Sequence, residues 1–442
     1  MVEESVIRKM TRLALEYKAI NLSQGFPNEP PPLSIRLALA RAVLEGSNCN
    51  NNSSCGDDDR KAIMHFLTNC QDQTDTNHHH VDEWNQYSPP MGRMDLRSAI
   101  ADHYRHVYDF DVNSHGMDVT VTLGATEALA TALRSVCDSS IAADGNKVII
   151  IEPFHELYPS QCQIFSMEPI FLTLHQLDDG QWKLNETELQ NILIKEENNV
   201  KAFILNSPHN PTGKVFTREE LLKIVQLCVQ YNVAIITDDI YEHMIYQDAK
   251  HCLLPKEFPK YAHQMLVCNS IGKSASATGW RVGWCLHPKA YTSSYRGIHD
   301  QLVVMAPHPM QCATLAYFQL PMEYFTLNLS NKYKSRILSL ITILKEVGFV
   351  NVVFPQGAYY IFCQYRCPNN RKGVKQLYDF DQPMEAAMYL IQKCGVACVP
   401  GDNFYGKQQS KENNSYLRFA ACRSLNDIQN ACHRIQQHLT PL

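Results

Sequence analysis

Short, nearly continuous apolar runs recur through the middle of the chain, each closing on polar or turn residues. VTVTL (119–123), KVIIIEP (147–153), IFLTL (170–174), KAFILNS (201–207), VAIITDD (233–239) and MLVCNS (265–270) have the length and composition of buried strands. Helical patterns lie between them, clearest over Thr126 to Val136, Glu186 to Ile194 and Arg218 to Gln230. Strands that are apolar throughout, interleaved with helices, predict a largely parallel sheet covered on both faces. From about Met305 the texture changes. A longer helix (Glu323 to Val347), strands in VVFPQGAYYIFCQY, GVACVP and SYLRFAA, and a last helix (Leu425 to Leu439) predict a second, smaller α+β domain.

Ahead of the sheet, residues 5 to 20 put Ile7, Met10, Leu13, Ala14 and Tyr17 on one helical face. INLSQGFPNEPPP (20–32) reads as an extended arm, because its prolines fix φ and remove backbone donors. A helix follows from Ser34 to about Leu44. From about Ser47 to Glu83 the chain turns to asparagine, aspartate and serine, the pattern of an inserted surface loop with a short helix near Lys61 to Leu67. His78, His79 and His80 are adjacent side chains without a framework, a poor metal site, and no metal is expected. The expected division is an arm and helix over 1–45, a large domain over 46–304 carrying the 47–83 insertion, and a small domain over 305–442.

Composition narrows the function classes. The net charge of −5 and the lack of a long basic run argue against nucleic acid or an anionic membrane surface as partner. No apolar stretch approaches a membrane span. The start, MVEESVIRKMTRLAL, has no apolar core of a secretory signal, and the 16 cysteines are scattered without paired CxxC spacing. A reduced, cytoplasmic setting is the expectation.

In an open α/β sheet, ligands lie beyond the carboxyl ends of the strands. There the chain places Gly124, Ala125 and Thr126 at a helix start, His155 after KVIIIEP, and Asn210 in SPHNPTG. VAIITDD ends in Asp238 and leads to Tyr241; MLVCNS ends at Ser270 and leads to Lys273 and Arg281. Singly these are a helix start, a turn, a cap and a packed aromatic, and a GKS tripeptide alone is as compatible with a solvated loop lysine. A P-loop is excluded, because the glycine it needs five residues before Gly272 is Val267. Together the residues compose one ligand. Amides at a helix N-terminus, with Ser270 and Arg281, suit a phosphate. Asp238 suits a protonated ring nitrogen, Asn210 and Tyr241 a phenolate oxygen, a flat side chain at 155 a ring face, and Lys273 an aldehyde. Pyridoxal phosphate has all of these parts.

The blocks NLSQGFPNEPPP, NQYSPPMGRMDLRSAI, TVTLGATEAL, NSPHNPTGKVF, TDDIYEHMIY, SIGKSASATGWRVGW and YLRFAACRS run in order from residue 20 to 424. With them the chain resembles a class I/II aminotransferase of fold type I, nearest the kynurenine, glutamine and methionine aminotransferase subgroup. The resemblance implies an α/β fold with a mostly parallel seven-stranded sheet. It implies pyridoxal 5'-phosphate carried by Lys273, with Asp238 on its ring nitrogen, Asn210 and Tyr241 on its phenolic oxygen, and Gly124, Ala125, Thr126, Ser270 and Arg281 on its phosphate. Arg418 would clamp the substrate carboxylate, with Gly25 of the arm above it. Tyr87 would reach the phosphate of the other subunit of a homodimer. His155 stands where this subgroup usually stacks Tyr or Phe. The 47–83 insertion departs from the family pattern, and VVMAPHPMQ (303–311) is a weak match, so His308 takes no role. The implied activity is transfer of an amino group from a neutral, sulfur-containing or aromatic amino acid to a 2-oxo acid. A cysteine-conjugate β-lyase at the same site and a non-catalytic interaction protein are the rivals; the second predicts a lost lysine or acid, and both are present.

Overall fold

All six apolar runs become strands. In chain order the strands are β1 (Ile20–Asn21), β2 (Met117–Thr122), β3 (Lys147–Glu152), β4 (Glu168–Gln176), β5 (Trp182–Leu184), β6 (Val200–Asn206) and β7 (Ala234–Asp238). They continue with β8 (Met265–Ser270), β9 (Gly283–Pro288), β10 (Tyr360–Gln364), β11 (Val396–Ala397), β12 (Val399–Pro400) and β13 (Tyr416–Ala420). The computed structural model describes residues 4–45, 60–61, 63–64, 68, 84–137, 145–196, 199–365, 380–406 and 415–439. Of the insertion, 60, 61, 63, 64 and 68 are described, and all are helical. His78, His79 and His80 lie outside the described residues.

The chain divides into two compact units, each built from separated segments. The first comprises Met1–Glu29, Cys137–Cys252 and Phe325–Leu442. Its large sheet portion runs β7-β6-β3-β4-β5. The β3–β4, β3–β6 and β6–β7 ladders are parallel, with Ile149↔Ile170 and Ile204↔Ile236 in register. Helix Leu157–Ile164 connects β3 to β4, and helix Arg218–Gln230 connects β6 to β7. The latter starts on a capping box, Thr217 Oγ1 accepting from Glu220 N while the Glu220 carboxylate accepts from Thr217 N. Short β5, antiparallel to β4, makes eight large-sheet strands where seven were expected.

The same unit holds the smaller α+β part. An antiparallel sheet β10-β13-β12 is joined by helices Leu329–Glu346 and Leu425–His438. The long helix starts where its apolar pattern places it, with residues 322–323 helical and Tyr324–Asn328 winding as a π-turn into Leu329–Glu346. The N-terminal arm is irregular apart from β1, which pairs in parallel with β11 from Ile20 to Val396.

The second unit comprises Pro30–Val136 and Leu253–Tyr324. Its strands run β2-β9-β8, all antiparallel. Helices Met94–Tyr108, Gly124–Val136, Thr292–Val303 and His308–Phe318 complete it with Leu33–Glu45. Cys268 and Cys285 face each other across β8 and β9 with their sulfurs 4.0 Å apart. No helix among the described residues is long and apolar enough to cross a membrane.

Candidate active site

In the second unit, β2 ends at Thr122 and helix Gly124–Val136 begins at once. Gly124 has φ +76°, and a Cβ there would stand 2.6 Å from Arg281 Nη2, so only glycine fits the turn. Gly283 is as restricted: its Cβ would stand 2.8 Å from Ala125 N. This contact brings β9 against the helix start, and Ser270 pairs with Gly283 from the other side. Arg281 Nη2 donates to Leu123 O at 3.2 Å and to Thr126 Oγ1 at 3.4 Å, and Nη1 donates to Thr278 O at 3.0 Å. Burial lowers the Arg281 pKa from its ordinary value. Gly124, Ala125, Thr126, Ser270 and Arg281 therefore form one cluster of donors at a helix N-terminus, the arrangement that favours a phosphate. Ser270 Oγ caps the short helix Ile271–Ser274, which carries half-buried Lys273. Tyr87 lies on an irregular segment and is 79% exposed.

In the first unit, Asp238 ends β7 and is buried; Tyr158 Oη donates to its Oδ2 at 2.7 Å. Burial, then the Asp238 charge, push the Tyr158 pKa far up, so the phenol keeps its proton and remains a donor. His155 opens the turn into the helix that holds Tyr158; its Nδ1 accepts from Leu157 N at 3.0 Å, and the two rings lie 5.7 Å apart. Asn210 N donates to Asn206 Oδ1 at 2.7 Å, and Asn206 Nδ2 donates to Asp238 O at 2.7 Å, so the ends of β6 and β7 are tied together. Arg418, on β13 and 1% exposed, donates from Nη1 to Asn210 Oδ1 at 2.9 Å and from Nη2 to Ser23 O at 2.7 Å. Its guanidinium lies 4.6 Å from the Tyr360 ring centroid and 4.9 Å from that of Phe404. Tyr241 and Tyr360 share a hydrogen bond between hydroxyls 2.7 Å apart. Gly25 belongs to the same unit, its carbonyl accepting from Tyr359 Oη at 3.0 Å.

The second unit brings Gly124, Ala125, Thr126, Ser270 and Arg281 together, and the first links Asp238, Asn210 and Arg418 by hydrogen bonds, with Tyr241 joined through Tyr360. Three partners were missed. Tyr158 stands one helical turn past His155, a spacing that could have flagged it. Tyr360 and the carbonyl of Ser23 carried no signal, since only the fold brings residues 23 and 360 to Arg418.

With this geometry in place, the comparisons are informative. The family described as aminotransferase class I and II matches residues 17–435. The chain belongs to that family. It is similar to a probable kynurenine–oxoglutarate transaminase of Saccharomyces cerevisiae, 30% identical over 80% of each chain. It is similar also to kynurenine–oxoglutarate transaminase 1 of Homo sapiens, 29% identical over 93% of this chain and 90% of the relative. Among solved structures, the N-succinyldiaminopimelate aminotransferase of Mycobacterium tuberculosis superposes with a TM-score of 0.80 at 27% identity, over 98% of this chain and 96% of that one. The fold is therefore fold type I, and the chain is a pyridoxal-phosphate-dependent transaminase.

Proposed function

We propose that this enzyme takes the α-amino group of a neutral, sulfur-containing or aromatic amino acid and passes it to a 2-oxo acid, with Lys273 as the cofactor's attachment point. Arg418 carries the substrate reading. A buried guanidinium braced on two sides, whose Nε has no partner among the described residues, has a donor left for a carboxylate. The Tyr360 and Phe404 rings pack on the guanidinium and hold its plane in place. The relatives named for kynurenine support the same class.

The donor set fits pyridoxal phosphate. Asn210 Oδ1 is engaged by Arg418, while its buried Nδ2 has no partner among the described residues, leaving an amide donor for a phenolic oxygen. The Gly124–Thr126 helix start, Ser270 and Arg281 would hold the phosphate, Asp238 the ring nitrogen, Asn210 and Tyr241 the phenolic oxygen, and His155 the ring face. When bound, the cofactor supplies an aldehyde for the amino group and an electron-withdrawing ring for the carbanion at Cα.

The chain's own residues do the rest. Arg418 fixes the substrate carboxylate and so orients the Cα–H bond, and Gly25 bounds the substrate from the arm. Lys273 Nζ takes the Cα proton. Tyr158 holds Asp238 in place, and Tyr360 holds Tyr241. Exposed Tyr87 is the contact offered to the second subunit of a homodimer.

A donor screen tests this reading: methionine, glutamine, kynurenine, phenylalanine, aspartate and N-succinyldiaminopimelate, each with pyruvate, glyoxylate or 2-oxo-4-methylthiobutyrate as acceptor. The neutral and aromatic donors should lead; aspartate or N-succinyldiaminopimelate turning over fastest would overturn the assignment. The β-lyase alternative is separated by a cysteine conjugate given without any 2-oxo acid, where release of pyruvate and ammonia identifies it. Lys273→Ala should abolish transamination and borohydride-stable cofactor labelling. Wild-type turnover by that variant would sink the scheme.

A further inference from the structure

The second unit contains a buried ionic network that the proposed chemistry does not use. Glu127, in the first turn of helix Gly124–Val136, and His299, in helix Thr292–Val303, meet with Nδ1 and Oε1 3.1 Å apart. His299 is fully buried, and Glu127 is 7% exposed. The partners fix the protons. His299 Nε2 lies 2.8 Å from Pro90 O, which can only accept, so Nε2 carries hydrogen. The Glu127 carboxylate accepts from Leu123 N at 3.0 Å and from the Thr131 hydroxyl, and its Oε1 faces His299 Nδ1. His299 is thus tied at both ends.

Each end leads to a segment with a role in holding phosphate. Leu123, whose N–H is held by Glu127, precedes Gly124, and its carbonyl accepts from Arg281 Nη2. Pro90, held by His299, lies three residues after Tyr87, in a segment also anchored by Gln311 Nε2 donating to Ser88 Oγ at 2.9 Å. We propose that Glu127 and His299 are positioning residues that fix the helix-start cradle and the Tyr87 segment together, and so set how tightly the enzyme retains its cofactor. This rests on the phosphate reading of the cradle given above.

The pair also makes retention pH-dependent. Burial pushes the His299 pKa down, but the hydrogen bond and charge of Glu127, the Pro90 carbonyl and the Asp300 charge outweigh it, leaving the pKa raised. Tyr295 lies near Glu127 as well, beside Cys285 and Cys268, and burial keeps its phenol protonated. Cofactor affinity should therefore hold below the raised pKa of His299 and fall as pH rises through it.

The test is the pyridoxal phosphate dissociation constant of the purified enzyme, from pH 6 to 9, for wild type, Glu127→Gln, His299→Gln and Arg281→Ala. Glu127→Gln is isosteric, and thermal unfolding of each variant without cofactor checks the fold. Both Gln variants should bind the cofactor about tenfold more weakly near neutral pH, the cost of losing one charged hydrogen bond, and the ratio to wild type should shrink as pH rises. Arg281→Ala should weaken binding with no such change in ratio. Gln variants matching wild type across the range, or weakened equally at every pH, overturn the positioning role. An unweakened Arg281→Ala overturns the phosphate reading beneath it instead.

Discussion

Replacing Arg418 with lysine keeps the charge and discards the rest of what holds it. Lysine cannot reach Asn210 Oδ1 and Ser23 O at once in a planar fork, nor lie flat against the Tyr360 and Phe404 rings. Arg418→Lys should raise the amino-acid KM by about tenfold or more, since one charged hydrogen bond to the substrate carboxylate is worth roughly 1.5–3 kcal/mol, while kcat falls less. Steady-state kinetics with the best donor decide it, and an unchanged KM removes Arg418 from substrate capture. Tyr158→Phe probes the other end of the cluster. It deletes the donor to Asp238 Oδ2 without changing the packing, so it should lower kcat by about tenfold with KM nearly intact. An unchanged kcat would leave Tyr158 a packing residue.

At the scale of elements, the sequence was legible wherever local physics decides the outcome. Helix Arg218–Gln230 matches its apolar periodicity to the residue, and Thr217 and Glu220 close its start with a capping box. Thr217→Ala should cost about 1 kcal/mol in a denaturant titration, the usual worth of a lost N-cap. A loss well beyond that would show that Glu220, which also grips Lys214 at 2.8 Å, depends on the cap. The six apolar runs were equally plain, because strands buried on both faces cannot hide their hydrophobicity. Other features depend on tertiary contacts. Strand β5 spans three residues and shows only when β4 is beside it. VVFPQGAY reads as strand from its apolar content, yet the ladder starts only at Tyr360. The site followed the same rule: Asp238, Asn210 and Lys273 sit at strand ends, whereas the Glu127–His299 pair joins helices far apart in sequence and looked like ordinary helix composition.

For the whole molecule, buried histidines shape stability on both sides of neutrality. Burial lowers the pKa of His103 to about 4, His209 to about 3 and His287 to about 4, so all three fold neutral. Below about pH 6.5, the ordinary histidine value, the unfolded chain takes up protons there that the native state refuses, and stability falls as pH falls. His299 has the opposite sign. Its raised pKa contributes stability that is complete below about pH 6.5 and is lost as pH rises through the native value. Urea midpoints should peak near neutral pH, and His299→Gln should make the alkaline side shallower without changing the acid side. The remaining slope belongs in part to His251, where burial works against a pKa that Asp239 raises. An alkaline side that stays as steep in that variant would assign the loss to other groups.

The segmented build of the first unit has a consequence for synthesis. Ser23 is synthesised 395 residues before Arg418, its partner, and β1 must wait for β11, from residue 20 to residue 396. Contacts of such span form late and slowly. The bracing of Arg418 by Ser23 and Asn210 therefore cannot form until residue 418 has been made, long after the arm that supplies half of it.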